Sequence, residues 1–160
     1  MEFLPETQAL AWHIRHGRKV IFGSYEIPVP ALWWASNDER GSAMLFGFPG
    51  RLRAMHLGKP EWGTMSFSVA PLPSYADERK AILKMDQLMG TNTKVVANLQ
   101  IANEATVCLD SRHPSHADVV EIRCLPESEK GGLCAGYMGN RKYVDLFFAT
   151  LRNVNKRPTS

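Results

Sequence analysis

The sequence predicts an α+β fold: a twisted, mainly antiparallel sheet with two principal helices. Three observations predict it. Residues 64–70, 105–110 and 120–124 alternate apolar and polar side chains with the period of two that a half-covered strand requires. Residues 75–89 and 144–154 instead carry apolar side chains on one helical stripe. The order along the chain is strands, helix, strands, helix, which suits segregated antiparallel strands packed by helices.

The elements follow in order. A short helix is expected over residues 6–16, stopped by Gly17. Lys19 to Trp34 reads as two short strands around a Gly23-Ser24 turn, because β-branched and aromatic side chains favour a pleated surface. Pro28 and Pro30 cannot donate to a ladder and belong at its end or edge. Ser36 to Ser42 is a polar turn, and Ala43 to Phe48 a short strand ended by Pro49-Gly50. Residues 51–63 read as a loop broken by Gly58, Pro60 and Gly63. Thr64 to Ala70 sets Met65, Phe67 and Val69 on one face. Pro71-Leu72-Pro73 ends that strand, and Ser74 is a natural N-cap with Asp77 three residues on. The helix that follows runs to Met89 with Tyr75, Ile82, Met85 and Met89 on its stripe, and Gly90 stops it.

Lys94 to Leu99 begins a second set of strands. Ala105, Val107 and Leu109 alternate with Thr106, Cys108 and Asp110, and Val120, Ile122 and Cys124 alternate with Glu121 and Arg123. Leu133 to Met138 closes a hairpin over residues 126–132. Gly139-Asn140 caps a last helix with the stripe Val144, Phe147, Phe148, Leu151 and Val154. The chain therefore divides into an arm or short helix (1–18), one α+β domain (19–154) and a polar tail (155–160) expected to fray.

This order, with the turn Val29-Pro30-Ala31-Leu32-Trp33 after an early strand, resembles the PsbP-like α/β/α sandwich over about residues 19–154. That superfamily includes photosystem extrinsic subunits, bacterial envelope lipoproteins, secretion-effector chaperones and a nuclear factor acting on the Ran GTPase. The resemblance implies a binding role, since these members hold other macromolecules.

Composition narrows the function classes. With 160 residues, 44% of them hydrophobic and 22% charged, the chain has the length of one domain and can bury roughly 70% of its unfolded surface. A net charge of +3 is too small for the basic stripe of a nucleic-acid binder. No apolar run approaches the ~18 residues of a membrane span. Residues 1–18 lack the apolar core of a signal peptide. That leaves the cytoplasm, or an exported location with the targeting segment removed.

Three cysteines leave at least one free thiol, and none has C-x-x-C spacing. A hairpin register centred on Glu129 would put Cys124 opposite Cys134, both toward the core, with Cys108 the more exposed thiol. A Cys124–Cys134 disulfide is then allowed, but buried free thiols are the favoured expectation.

Four constellations bear on chemistry. Asp110, His113, His116 and Asp118 fall within nine residues and could ligate zinc in a small metal-dependent hydrolase, although a solvated loop needs the same residue types. His13 and His16 share a helix face, but nothing brings His56 to them. Arg141 and Lys142 at the start of the last helix could hold an anion or small molecule, while the preceding glycines match no phosphate loop. Trp33, Trp34 and Trp62 could line a partner groove, or belong to the core. Arg40, Arg51, Arg53, His56 and Lys59 read as a solvated basic loop. Nucleophile-elbow and papain-like contexts are missing from the sequence. The expectation is a non-catalytic binding or adaptor protein with a protein partner and no cofactor.

Overall fold

The computed structural model describes residues 5–31, 33–38, 42–47, 63–70, 75–90, 93–110, 118–128 and 132–157. Helix α1 (Pro5–His16) is followed by strands β1 (Lys19–Phe22), β2 (Tyr25–Pro28), β3 (Trp34–Asp38), β4 (Ser42–Phe46) and β5 (Gly63–Ala70). Helix α2 (Tyr75–Met89) leads to β6 (Lys94–Ile101), β7 (Glu104–Asp110), β8 (Val119–Pro126) and β9 (Gly132–Asn140). A 3-10 turn (Arg141–Tyr143), helix α3 (Val144–Arg152) and strand β10 (Asn155–Lys156) close the described chain. The α+β class and the mainly antiparallel pairing hold.

The strands form two sheets. The small one has the order β1-β2-β10 and the large one the order β3-β4-β5-β9-β8-β7-β6, antiparallel throughout. The β1–β2 hairpin turns on Gly23-Ser24, where Gly23 adopts φ +57° without a Cβ penalty. The main core lies on one face of the large sheet, where Leu45, Met65, Phe67, Val120, Ile122, Leu133 and Tyr137 meet Ile27, Phe147, Leu151 and Val154. Trp12 of α1 packs at its margin. On the opposite face, Tyr75 and Ile82 of α2 pack against a smaller cluster of Val107, Leu109, Leu125 and Cys134.

Several expectations change. The expected polar turn at 36–42 contributes to two strands, since Ser36 pairs with Met44 and Asn37 with Ala43. The tail does not simply fray: Asn155 and Lys156 pair with β2, and Arg157 N–H donates to the Ser24 carbonyl at 2.6 Å. The α2 stripe is only partly used, because Met85 and Met89 are exposed while Tyr75 and Ile82 make the contact. Val69 is exposed as well, near the end of its strand. The Ser74 cap, most of the 51–63 loop and residues 158–160 lie outside the described residues.

The cysteine pairing is the largest correction. Cys108 and Cys124 face each other across β7 and β8 and form a disulfide, and both are fully buried. Cys134 is the free thiol. Strand β9 sits one residue away from the expected register, so Cys124 faces Ala135. A one-residue shift exchanges the faces of a whole strand. The observed register turns Leu133 and Tyr137 into the main core, and Tyr137 stacks on Phe147 with ring centroids 5.5 Å apart. Cys108 is buried because β7 is covered on both faces, so Thr106, Val107, Cys108 and Leu109 are all buried.

Candidate functional site

Helix α2 covers only part of its face of the large sheet. Beside it runs a groove of about 390 Å3 whose floor crosses four neighbouring strands. Alternation along each strand decides which residues reach it. Across the ladder they fall into rows: Thr64–Met138–Glu121, Met44–Ser66–Gly136–Arg123, and Ser68–Cys134. Glu78 of α2 and Leu125 of β8 complete the wall. Ser66 and Met44 are exposed, and Thr64, Ser68, Gly136, Met138 and Glu121 are half-buried.

Close packing shapes the middle of the floor. A Cβ at Gly136 would lie 2.7 Å from Ser66 Oγ, so glycine leaves the room that the serine hydroxyl occupies. The charge is organised too. Arg123 Nη2 meets Glu78 Oε1 at 2.7 Å, which ties α2 to β8. Glu121, two residues along the same face of β8, has no ion-pair partner among the described residues. Burial pushes the Cys134 thiol up to about 11, with Glu78 adding to the shift and Arg123 opposing it. This thiol therefore stays protonated at neutral pH and is a poor nucleophile. The groove thus offers hydroxyl groups, methionine surface and a carboxylate that is unpaired among the described residues.

The sequence-predicted site residues do not gather here. Trp33 is 3% exposed and belongs to the core, where it meets Tyr143 edge-on at 5.7 Å. Trp34 is half-buried at the start of β3, and Trp62 lies outside the described residues. Arg141 and Lys142 are exposed, but their backbone donors are already engaged: Arg141 N–H with the Asp118 carbonyl and Lys142 N–H with Asn140 Oδ1, both at 2.9 Å. Lys142 Nζ also lies 5.0 Å from the Tyr143 ring centroid. Asp110 and Asp118 flank a segment that contains His113 and His116 and lies outside the described residues. Among the described residues no group of three metal-ligating side chains converges. His16 stacks on Trp12 at 4.9 Å, and the His13 ring lies 3.2 Å from the carbonyls of Gly17 and Pro30, so both serve α1. His56 and the basic residues Arg40, Arg51, Arg53 and Lys59 are outside the described residues.

Sequence reasoning missed the groove because Thr64, Ser66 and Ser68 look like any solvated strand face. The usable signal was small: a glycine and a methionine, Gly136 and Met138, at alternate positions of a strand whose other face is apolar.

No helix among the described residues is long and apolar enough to cross a membrane. No protein-family model and no curated protein matches the sequence. A crystal structure from Bacteroides thetaiotaomicron VPI-5482 is similar in fold, with a TM-score of 0.51 and 11% identity over 88% of this chain and 48% of that chain. At this identity the likeness shows the fold alone, and this chain spans about half the length of that protein.

Proposed function

We propose that the protein is a non-catalytic binding or adaptor protein that holds a segment of a protein partner against the face of its large sheet beside α2. The observation that carries this reading is the groove beside α2. Concave sites of roughly 300–1,000 Å3 with a few convergent polar groups are the default binding sites of a fold, and this one measures about 390 Å3. Its thiol is held protonated by burial, and no histidine is among its described lining residues. Both facts favour recognition over nucleophilic chemistry. The PsbP-like order of elements points the same way, through a superfamily whose members hold other macromolecules.

The test is site-specific photocrosslinking from Ser66, with Ile21 on β1 as the control position. The crosslinked protein is then identified, and its affinity is measured for the wild type and for Ser66→Arg. The reading expects a loss of at least about ten-fold on filling the groove, the scale of a central contact, with an unchanged denaturation midpoint. Equal affinity in Ser66→Arg removes the groove from the binding site.

A further inference from the structure

Both ring nitrogens of His13 face carbonyl oxygens. Nδ1 lies 3.2 Å from the Gly17 carbonyl oxygen, and Nε2 lies 3.2 Å from that of Pro30. A carbonyl only accepts hydrogen bonds. Neutral imidazole has one N–H and one lone pair. It therefore donates to one carbonyl while its other nitrogen sets a lone pair against the second. The imidazolium has two N–H groups and satisfies both.

The two acceptors are held in place by the backbone. Gly17 adopts φ +73°, the left-handed conformation of a helix stop, and its N–H donates to the His13 carbonyl at 2.9 Å. Pro30 lies in the link between β2 and β3, and its carbonyl also accepts the N–H of buried Trp33 at 3.0 Å. The His13 ring thus joins the last turn of α1, where the helix dipole favours positive charge, to the link between the two sheets. The helix also lies against β3 and packs Trp12 at the margin of the main core.

The charges around the ring leave the carbonyls in control. Arg15, His16 and Arg18 on the same segment are exposed, and His16 is turned to the Trp12 carbonyl, with Nδ1 at 3.1 Å. Glu6 is the one acid of α1 and stands about two turns away. The one ionisable residue of β3 is Asp38, at its last position. On the small sheet, Lys19 and Glu26 pair with each other at 3.5 Å. Among the described residues neither His13 nor His16 forms an ion pair with a carboxylate. We propose that His13 is a proton-operated latch for α1: charged, it ties the helix to the link between the sheets, and neutral, it loosens that tie. The second hydrogen bond exists only with the proton on the ring, so lowering the pH favours docked α1 and raising it favours release. Histidine changes charge between about pH 5 and 8, which sets the interval to scan.

The experiment follows amide hydrogen exchange of α1 in the isotopically labelled full chain at about pH 5 and 8, corrected for the intrinsic pH dependence of exchange. Imidazole nitrogen shifts are recorded on the same samples. The expected result is that α1 protection falls about five- to ten-fold from acid to alkali, the scale of one hydrogen bond, while β8 and β9 keep theirs. Both His13 nitrogens should carry protons in the acid sample. His13→Gln, neutral throughout, should show no pH response, and His16→Gln should keep the wild-type response. Equal protection of wild-type α1 at both pH values overturns the latch, as does a single ring proton on His13 in the acid sample. A pH response that survives in His13→Gln, or disappears in His16→Gln, overturns it too. If His13→Gln undocks the helix altogether, the wild-type exchange and ring shifts still decide.

Discussion

A Cβ at Gly47 would stand 2.5 Å from Cζ2 of Trp33, so the indole occupies the space that any side chain there would need. Gly63 lies under the same ring, 3.0 Å from Cη2 by the same construction, and accepts a hydrogen bond from Gly47 N–H at 2.9 Å. The tryptophan thus seals the main core over a pair of hydrogen-bonded glycines. Gly47→Ala is expected to cost about 1–3 kcal/mol, the range for overpacking a core, read as a lowered denaturant midpoint. Shrinking the ring with Trp33→Leu should remove most of that penalty in the double variant, because residues in contact are not additive. A full penalty in the double variant would show that the alanine is opposed by something other than the indole.

The disulfide fixes the thiol count. Protein unfolded without reductant should expose one reactive thiol, Cys134, and three after reduction, as read by mass after alkylation. The cross-link joins positions 16 residues apart, a loop for which the chain-entropy argument gives about 3 kcal/mol. Replacing both Cys108 and Cys124 with alanine should lower stability by about that amount while leaving Cys134 protected in the folded state. Three thiols in unreduced, unfolded protein would exclude the bond.

Cys134 should also make stability pH-dependent. Its folded pKa is raised from 9.0 to about 11, so the folded state holds the proton more tightly than the unfolded chain does. The stabilisation is fully present below pH ~9 and is lost as pH rises toward ~11, by roughly 1.4 kcal/mol for each pH step of one between those values. Tyr25 is shifted upward as well, mainly by burial and then by Glu104, and contributes in the same sense. The measurement is therefore the difference between wild type and Cys134→Val, followed by denaturant midpoint from pH 7 to 11. Parallel curves would mean that the thiol is solvated.

Of the two adjacent phenylalanines in α3, Phe147 carries the core. It is fully buried and stacked on Tyr137, whereas Phe148 is half-buried and tilted against Phe147 at 5.6 Å. Phe147→Ala should cost about 3–5 kcal/mol, and Phe148→Ala clearly less. Equal losses would place both rings at the same depth.

The contrast between these rings shows what the sequence could convey. The α3 stripe was legible because five apolar residues repeat at helical spacing, but spacing does not rank neighbours at i and i+1. The two-residue turn between β1 and β2 was legible from Gly23. The β6–β7 turn was not, because Ala102 and Asn103 adopt φ of 50° and 66°, a conformation in which alanine is uncommon. Strand alternation located β7 and β8 but misjudged Cys108, since polar neighbours such as Thr106 and Asp110 suggested a wet face. Thr106 is instead buried, and its hydroxyl donates to the Glu104 carbonyl at 3.1 Å. The groove was hidden for a related reason: its residues come from five elements, and only the β9 register brings Gly136 opposite Ser66.

That register has a consequence for how the three thiols are sorted. Any three cysteines allow three pairings, and a mispaired bond would have to be undone by exchange. Here the large sheet acts as a partition. Cys108 and Cys124 lie on its core side, while Cys134 faces α2 on the other. Joining Cys134 directly across the ladder to Cys124 would require β9 to slip by one residue. The slip would expel Leu133 and Tyr137 from the main core. Selection of the correct bond thus depends on hydrophobic alignment of the neighbouring strand β9, and the oxidised pair becomes a chemical record that the sheet has assembled in register.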